Sequence, residues 1–171
     1  TKCWLVLGSE FLYNERLNRK YRSFNAVYED IDFRDGDIID VLEDSASESI
    51  IDNNTHTYTL DLMGHTVSNT QPIKNSGTLT VRDSIGGGIL QGVNPTSSTP
   101  AIDNTGTLNV QAGTIVGTYN AINNNGTLNQ TGGTVKVSGE KSNAAIYSKG
   151  GSVEVTNATV TAENDTSTSH T

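Results

Sequence analysis

From about residue 60 onward, apolar and polar residues alternate in short runs. Leu79-Thr80-Val81, Leu108-Asn109-Val110 and Val153-Glu154-Val155 each flank one polar side chain with two apolar ones. A period of two predicts a strand with one face buried and the other wet. Each run is followed by a second short apolar stretch: GGGIL (86–90), AGTIV (112–116), GGTVKV (132–137) and NATVTA (157–162). Strands this short, punctuated by glycine, cannot bury a face alone. Each needs a neighbour on both sides.

The neighbours are written into the sequence as repeats. PIKNSGTLTV (72–81), AIDNTGTLNV (101–110), AINNNGTLNQ (121–130) and AIYSKGGSVEV (145–155) align, the last with one extra residue. Leu108 to Ile115, Leu128 to Val135 and Val153 to Val160 are each seven residues, and Leu60 to Val67 in TLDLMGHTV (59–67) matches them. Leu79 to Ile89 is ten, which places an insertion in IGGG (85–88). The anchors Leu60, Leu79, Leu108, Leu128 and Val153 thus advance by 19, 29, 20 and 25 residues. A coil of roughly twenty residues with loop insertions accounts for all four intervals.

Stacked coils put like residues on like. Burying one Leu or Ile is worth about 1.5–3 kcal/mol, against roughly 1–2 kcal/mol for ordering each residue's backbone, so only a continuous core recovers the cost. Asn75, Asn104 and Asn124 each lie two residues after the Ile of their block, with Ser148 in the fourth, and are expected to form a side-chain amide ladder. Gly77, Gly106, Gly126 and Gly150 follow and are read as turns at positive φ. Thr78, Thr107 and Thr127 then open the next strand. Gln130 is a misfit in an inward column otherwise read as Leu62, Val81, Val110 and Val155. The expectation is a bulge there, or a Gln bonded to backbone near Thr131.

LDLMGHTVSN (60–69), IKNSGTLTV (73–81) and the two copies of GTLN resemble the single-stranded right-handed parallel β-helix, the pectin-lyase-like architecture. The likeness is greatest to the small-repeat versions of bacterial surface proteins and phage appendages, and it covers about residues 36–162. It implies an all-β, right-handed β-solenoid of about five to six coils. Handedness follows from the rule for parallel crossovers. The same coil hosts lyases, hydrolases, adhesins and inert stalks, so function must be argued from a site.

Residues 1–35 break the pattern. Phe24, Val27, Tyr28 and Ile31 fall at helical spacing, Gly36 ends the run, and Asp37 to Leu42 begins the first strand. An amphipathic helix there, with CWLVL (3–7) as a strand beside it, is expected to cap the exposed N-terminal edge. Residues 163–171 read as a polar tail. No second cap-like segment is visible, so either more coils follow or another subunit covers the last one.

Composition narrows the function classes. The net charge is -8, with 11 Lys and Arg against 19 Asp and Glu, which argues against a nucleic-acid partner. Eleven acidic residues lie between Glu29 and Asp61, whereas Met63 to Gly139 is nearly neutral. Cys3 is alone, so no intrachain disulfide or cysteine metal site exists, and it reads as a small buried hydrophobe beside Trp4. No run is long enough to span a membrane. TKCWLVLGSE is too short an apolar run for a secretory signal, so either one has been removed or the export route is not encoded here.

Candidate chemistry is sparse. The outward columns read from this register are Asp61, Thr80, Asn109, Asn129, Glu154 and Lys74, Asp103, Asn123, Tyr147, and neither holds adjacent carboxylates. Arg82 and Asp83 read as a surface ion pair before a bulged loop. His65 reads as a turn residue, with His56 and His170 isolated, and DFRDGDIID (32–40) as a solvated acidic cap rather than a calcium loop. Asn53, Asn125, Asn129, Asn157 and Asn164 each begin N-x-[ST], a pattern common in any chain this rich in Asn and Thr.

The expectation is a non-enzymatic structural or binding module with no catalytic residue, cofactor or metal: a rigid rod, extracellular or on a cell or virion surface, acting as stalk, adhesin or appendage. Carbohydrate or another protein subunit is the expected partner, with homo-oligomerisation through the cap or the last coil. Tyr119, Tyr147, Asp83 and Asp103 are the candidate ligand face. The alternatives are a polysaccharide lyase or tailspike-type depolymerase with a site shared between subunits, and a phage capsid or tail decoration protein assembling through Trp4.

Overall fold

A computed structural model of the chain describes residues 9–46, 53–93, 99–138 and 144–163. Cys3, Trp4, the CWLVL segment, His170, Asn164 and the tail beyond Glu163 lie outside the described residues.

The chain opens with a hairpin, β1 (Leu12–Asn14) and β2 (Arg19–Tyr21), then a short helix α1 (Phe24–Tyr28). Winding begins with β3 (Asp37–Val41), β4 (Ser45–Ala46) and β5 (Asn53–Asn54). The second coil is β6 (Thr57–Asp61), β7 (Thr66–Asn69) and β8 (Ile73–Asn75); the third is β9 (Thr78–Arg82), β10 (Ile89–Gly92) and β11 (Ile102–Asn104). The fourth is β12 (Thr107–Val110), β13 (Thr114–Gly117) and β14 (Asn120–Asn124), and the fifth β15 (Thr127–Gln130), β16 (Thr134–Ser138) and β17 (Ala144–Ser148). Last come β18 (Ser152–Val155) and β19 (Thr159–Glu163). Equivalent strands pair in parallel, giving three sheets along a β-solenoid of about five turns.

Its interior is a set of vertical files. Tyr58, Leu79, Leu108, Leu128 and Val153 stand over one another in the first sheet, and Leu60, Val81, Val110, Gln130 and Val155 form the file beside them. Val67, Leu90, Ile115, Val135 and Val160 line the second sheet, and Ile73, Ile102, Ile122 and Ile146 the third. Leu79, Leu108 and Leu128 are fully buried, as the repeat requires. Val153 keeps its place in the file but is 42% exposed, because it belongs to the last described coil.

Two registers differ from the sequence reading. Leu60 is level with Val81, not Leu79, and the true counterpart of Leu79 is Tyr58. Leu62, in the corner after β6, is buried but belongs to neither file. In the third coil Leu90, not Ile89, points inward, level with Val67 and Ile115.

The Asn ladder is present. Asn54 donates to Asn75 Oδ1 at 2.8 Å, Asn75 to Asn104 at 2.8 Å, Asn104 to Asn124 at 2.7 Å, and Asn124 to Ser148 Oγ at 3.3 Å. The same amides bond backbone carbonyls of the next coil, Thr107, Thr127 and Ser152 in turn. The glycines beside the ladder serve a different purpose from the expected one. Gly77, Gly106 and Gly126 are not at positive φ. A Cβ on Gly106 would sit 2.1 Å from the carbonyl oxygen of Gly77, and one on Gly126 equally close to that of Gly106. Glycine is needed there because successive coils touch backbone to backbone. In the last repeat that position is Gly151, whereas Gly150 faces open space.

The N-terminal edge is covered differently as well. β1 pairs antiparallel with β3 and carries β2 beyond it, so a hairpin occupies the edge of the first sheet. The helix has only five residues, started by Ser23, whose hydroxyl accepts from Ala26 N at 3.0 Å. Phe24 and Val27 are buried, but Ile31 lies past the helix and is 97% exposed. Phe11, Phe24, Tyr28, Phe33 and Tyr58 form a chain of edge and tilted ring contacts that plugs the first coil.

Candidate functional site

Three carboxyl groups come together on the outer face of the first sheet. Asp40 is level with Asp61, and Asp61 with Arg82. Glu15 reaches the same face from the hairpin turn, where its N–H donates to Ile38 O. Asp40 is only 7% exposed and Asp61 1%. Adjacent carboxylates, which the sequence register did not place together, are therefore present.

The two aspartates live in opposite surroundings. Burial works against ionised Asp61, but the N–H groups of Ser84 (3.0 Å) and Met63 (3.1 Å) and the guanidinium of Arg82 (2.7 Å) hold it below the usual carboxylate range. Asp40 has no such support, and its Oδ1 is buried without a donor among the described residues. Burial, and then the charges of Glu15 and Asp61, push it up to about 6. Three residues earlier on the same strand, Asp37 is drawn down. Burial opposes its charge too, but Arg16, through Nε and through Nη2 at 2.9 Å, and Asn14 Nδ2 at 2.7 Å outweigh it. Asp37 and Asp40 are thus buried parts of the fold, not a solvated acidic cap.

The residues expected to face a ligand are scattered. Asp83 does not pair with Arg82, which binds Asp61 instead. Its carboxylate accepts from the N–H groups of Gly64 (2.8 Å), Gly86 (3.2 Å) and Gly88 (2.7 Å), so it ties the inserted loop to the corner before β7. Asp103 and Tyr147 do share the outer file of the third sheet with Lys74 and Asn123. Tyr119 lies in the turn before β14, on a different element. His65 is a turn residue facing Asp44 at 3.4 Å, and Asp44 also accepts from Thr66 N. Gln130 makes no bulge: it is paired on both sides, fully buried, and donates to Thr159 O at 3.1 Å.

The outer column read as Asp61, Thr80, Asn109, Asn129 and Glu154 is present with Thr59 in place of Asp61, and a second file runs beside it. On the first sheet, Thr57, Thr78, Thr107, Thr127 and Ser152 form one outward file, and Thr59, Thr80, Asn109, Asn129 and Glu154 the next. Asn129 donates to Asn109 at 3.0 Å and Asn109 to Thr80 at 3.3 Å, so the second file is a ladder in its own right. Both files are uncharged until Glu154. Thr-x-Thr and Thr-x-Asn at 57–59, 78–80, 107–109 and 127–129 were the available signal.

Among the described residues no group of three or more His, Cys, Asp and Glu is placed to hold a metal ion, and no helix is long and apolar enough to cross a membrane. No family model, curated protein or solved structure matches this chain.

Proposed function

We propose that this chain is a rigid, non-enzymatic binding rod that presents the outer face of its first sheet to a neutral carbohydrate. The observation that carries this reading is the pair of uncharged Thr and Asn files from Thr57 to Asn129, repeating at the strand spacing of about 4.8 Å. Hydroxyl and amide groups held at fixed intervals suit a polymer with its own hydroxyl repeat, because their order is fixed before binding and little entropy is lost. The interior Asn ladder supports rigidity, since each amide binds two coils at once.

The buried aspartates also favour binding over catalysis. Asp61 has its oxygens engaged by Met63, Ser84 and Arg82, and Asp40 is buried, so neither is offered to a substrate. Right-handed winding belongs to the same proposal, on the general rule for parallel crossovers. So does a setting on a cell or virion surface, for which the resemblance to surface and appendage helices is the motivation.

The test is a glycan array at millimolar ligand with the wild type and with Thr80→Lys/Asn109→Lys. Binding to neutral glycans that the double variant loses supports the reading, and no binding by the wild type removes it. Release of products from an acidic polysaccharide, abolished by Asp40→Asn, would instead mark an enzyme.

A further inference from the structure

Glu15 and Asp40 meet at the joint between the hairpin and the solenoid. β1 is antiparallel to β3, with Tyr13 level with Asp40, so Glu15 lies diagonally across from Asp40 on the same face. Two backbone bonds close the joint, from Glu15 N to Ile38 O (3.3 Å) and from Leu42 N to Phe11 O (2.8 Å). The groups around Asp40 are Glu15 and Tyr13 from the hairpin, Lys20 one strand further out beside Tyr13, Asp61 on β6 and Arg82 on β9. Arg82 is engaged by Asp61, and the nearby Arg16 by Asp37. Asp40 is buried on the same face as Glu15 and level with Asp61, and its Oδ1 has no donor among the described residues, so this cluster of carboxyls is best satisfied with a proton held between Asp40 and Glu15.

We propose that the N-terminal hairpin is an acid-closed latch: a proton shared by Glu15 and Asp40 fastens it to the first coil, and loss of that proton frees the edge of the first sheet. Once the proton leaves, like charges face each other and one of them, Asp40, is buried. The edge thus released is the row of β3 backbone groups that β1 otherwise covers, a surface suited to strand addition.

The sign follows from linkage. Asp40 titrates at about 6 when the joint is closed and near the ordinary carboxylate value of about 3.9 when it is open and solvated. Closure is therefore favoured in acid and loses that advantage as pH rises through about 6. Asp37 works the other way: drawn down by Arg16 and Asn14, it holds the hairpin above the ordinary carboxylate range and lets go only in stronger acid. The latch is tightest in mild acid.

The test is amide hydrogen exchange at pH 5 and pH 7.5, corrected for intrinsic rates, read at Glu15 and Leu42 with Thr127 as a remote control. The expected result is about tenfold greater protection at pH 5 at the two joint amides, from a one-proton difference, with Thr127 unchanged. Asp40→Asn and Glu15→Gln each replace the shared proton with an amide donor. Both are expected to keep the joint protected at pH 7.5; Asp40→Asn should abolish its pH dependence, and Glu15→Gln, which leaves Asp40 buried beside Asp61, should reduce it. Equal protection at the two pH values, the same change at Thr127, or undiminished pH dependence in Glu15→Gln would overturn the latch. Should Asp40→Asn not fold, the Glu15→Gln result decides.

Discussion

Asp40 and Asp61 are level with each other on β3 and β6, yet their carboxyls are shifted in opposite directions. The difference is one of donors. Asp61 receives two backbone N–H groups and a guanidinium, while Asp40 faces Glu15 and finds no donor for Oδ1. Removing the guanidinium tests this arrangement. Arg82→Met is expected to cost about 1.5–3 kcal/mol at pH 7, the range for a hydrogen bond to a charged group. Asp61, drawn down in the folded state, contributes stability that is present above the ordinary carboxylate pKa and lost as pH falls below it. The penalty of Arg82→Met should therefore shrink by pH 3, and urea unfolding at the two pH values measures it.

Asn104 occupies the centre of the ladder. Its amide nitrogen serves Asn124 Oδ1 and Thr127 O, and its oxygen accepts from Asn75. Asn104→Leu keeps the approximate volume but leaves buried Asn124 Oδ1 without its donor. A loss of about 1–3 kcal/mol is expected. Asn125→Ala, in the exposed turn one residue beyond the next ladder position, should stay within about 0.5 kcal/mol. Equilibrium unfolding of the two variants side by side would show whether the cost belongs to the ladder or to Asn loss in general.

Backbone contact between coils makes two neighbouring classes of glycine behave differently. Gly106→Ala would place Cβ 2.1 Å from Gly77 O, against the Ser76–Gly77 backbone of the preceding coil with no flexible side chain to move away. A loss of about 1–3 kcal/mol or more is expected, as for overpacking. Gly150→Ala meets nothing within 4 Å and should be close to neutral. Thermal unfolding separates the two readily. If Gly106→Ala were as stable as wild type, the coils could not be stacked as closely as described.

Much of this molecule was legible in its sequence. The Leu79, Leu108 and Leu128 file and the Asn75, Asn104 and Asn124 ladder followed directly from near-identical repeats. The errors came where the repeat is degenerate. TYTLDL puts Tyr58, Leu60 and Leu62 all on one phase of a period-two pattern, so sliding the strand by two residues keeps every side chain on its face. The tie is broken by contacts no local pattern encodes: Tyr58 OH meets Tyr28 OH at 2.8 Å, and Asp61 meets Arg82. That slide is why Asp61 and Arg82 did not read as neighbours; Asp40 fell in the segment 32–40 read as an acidic cap and was given no register. Glu15 was out of reach for another reason, since an antiparallel hairpin pairs residues far apart in a segment that has no repeat.

Gln130 offers the converse of the ladder experiment. It is the polar member of the file Leu60, Val81, Val110 and Val155, fully buried, with Oε1 lacking any partner among the described residues. Its amide nitrogen makes three long contacts, at 3.1 Å to Thr159 O and 3.4 Å to Gly132 O and Gly133 O. Gly133 O also accepts from Thr159 N at 3.0 Å, so that carbonyl does not depend on the glutamine. Gln130→Met conserves shape and removes the orphaned oxygen, whose burial costs about 1–3 kcal/mol. The weak nitrogen contacts return only part of that. Stability should hold or rise by about 1 kcal/mol, measured by urea unfolding beside Asn104→Leu. An apolar swap would then have opposite signs in two files of the same coils, because one polar side chain is bonded through its oxygen and the other is not.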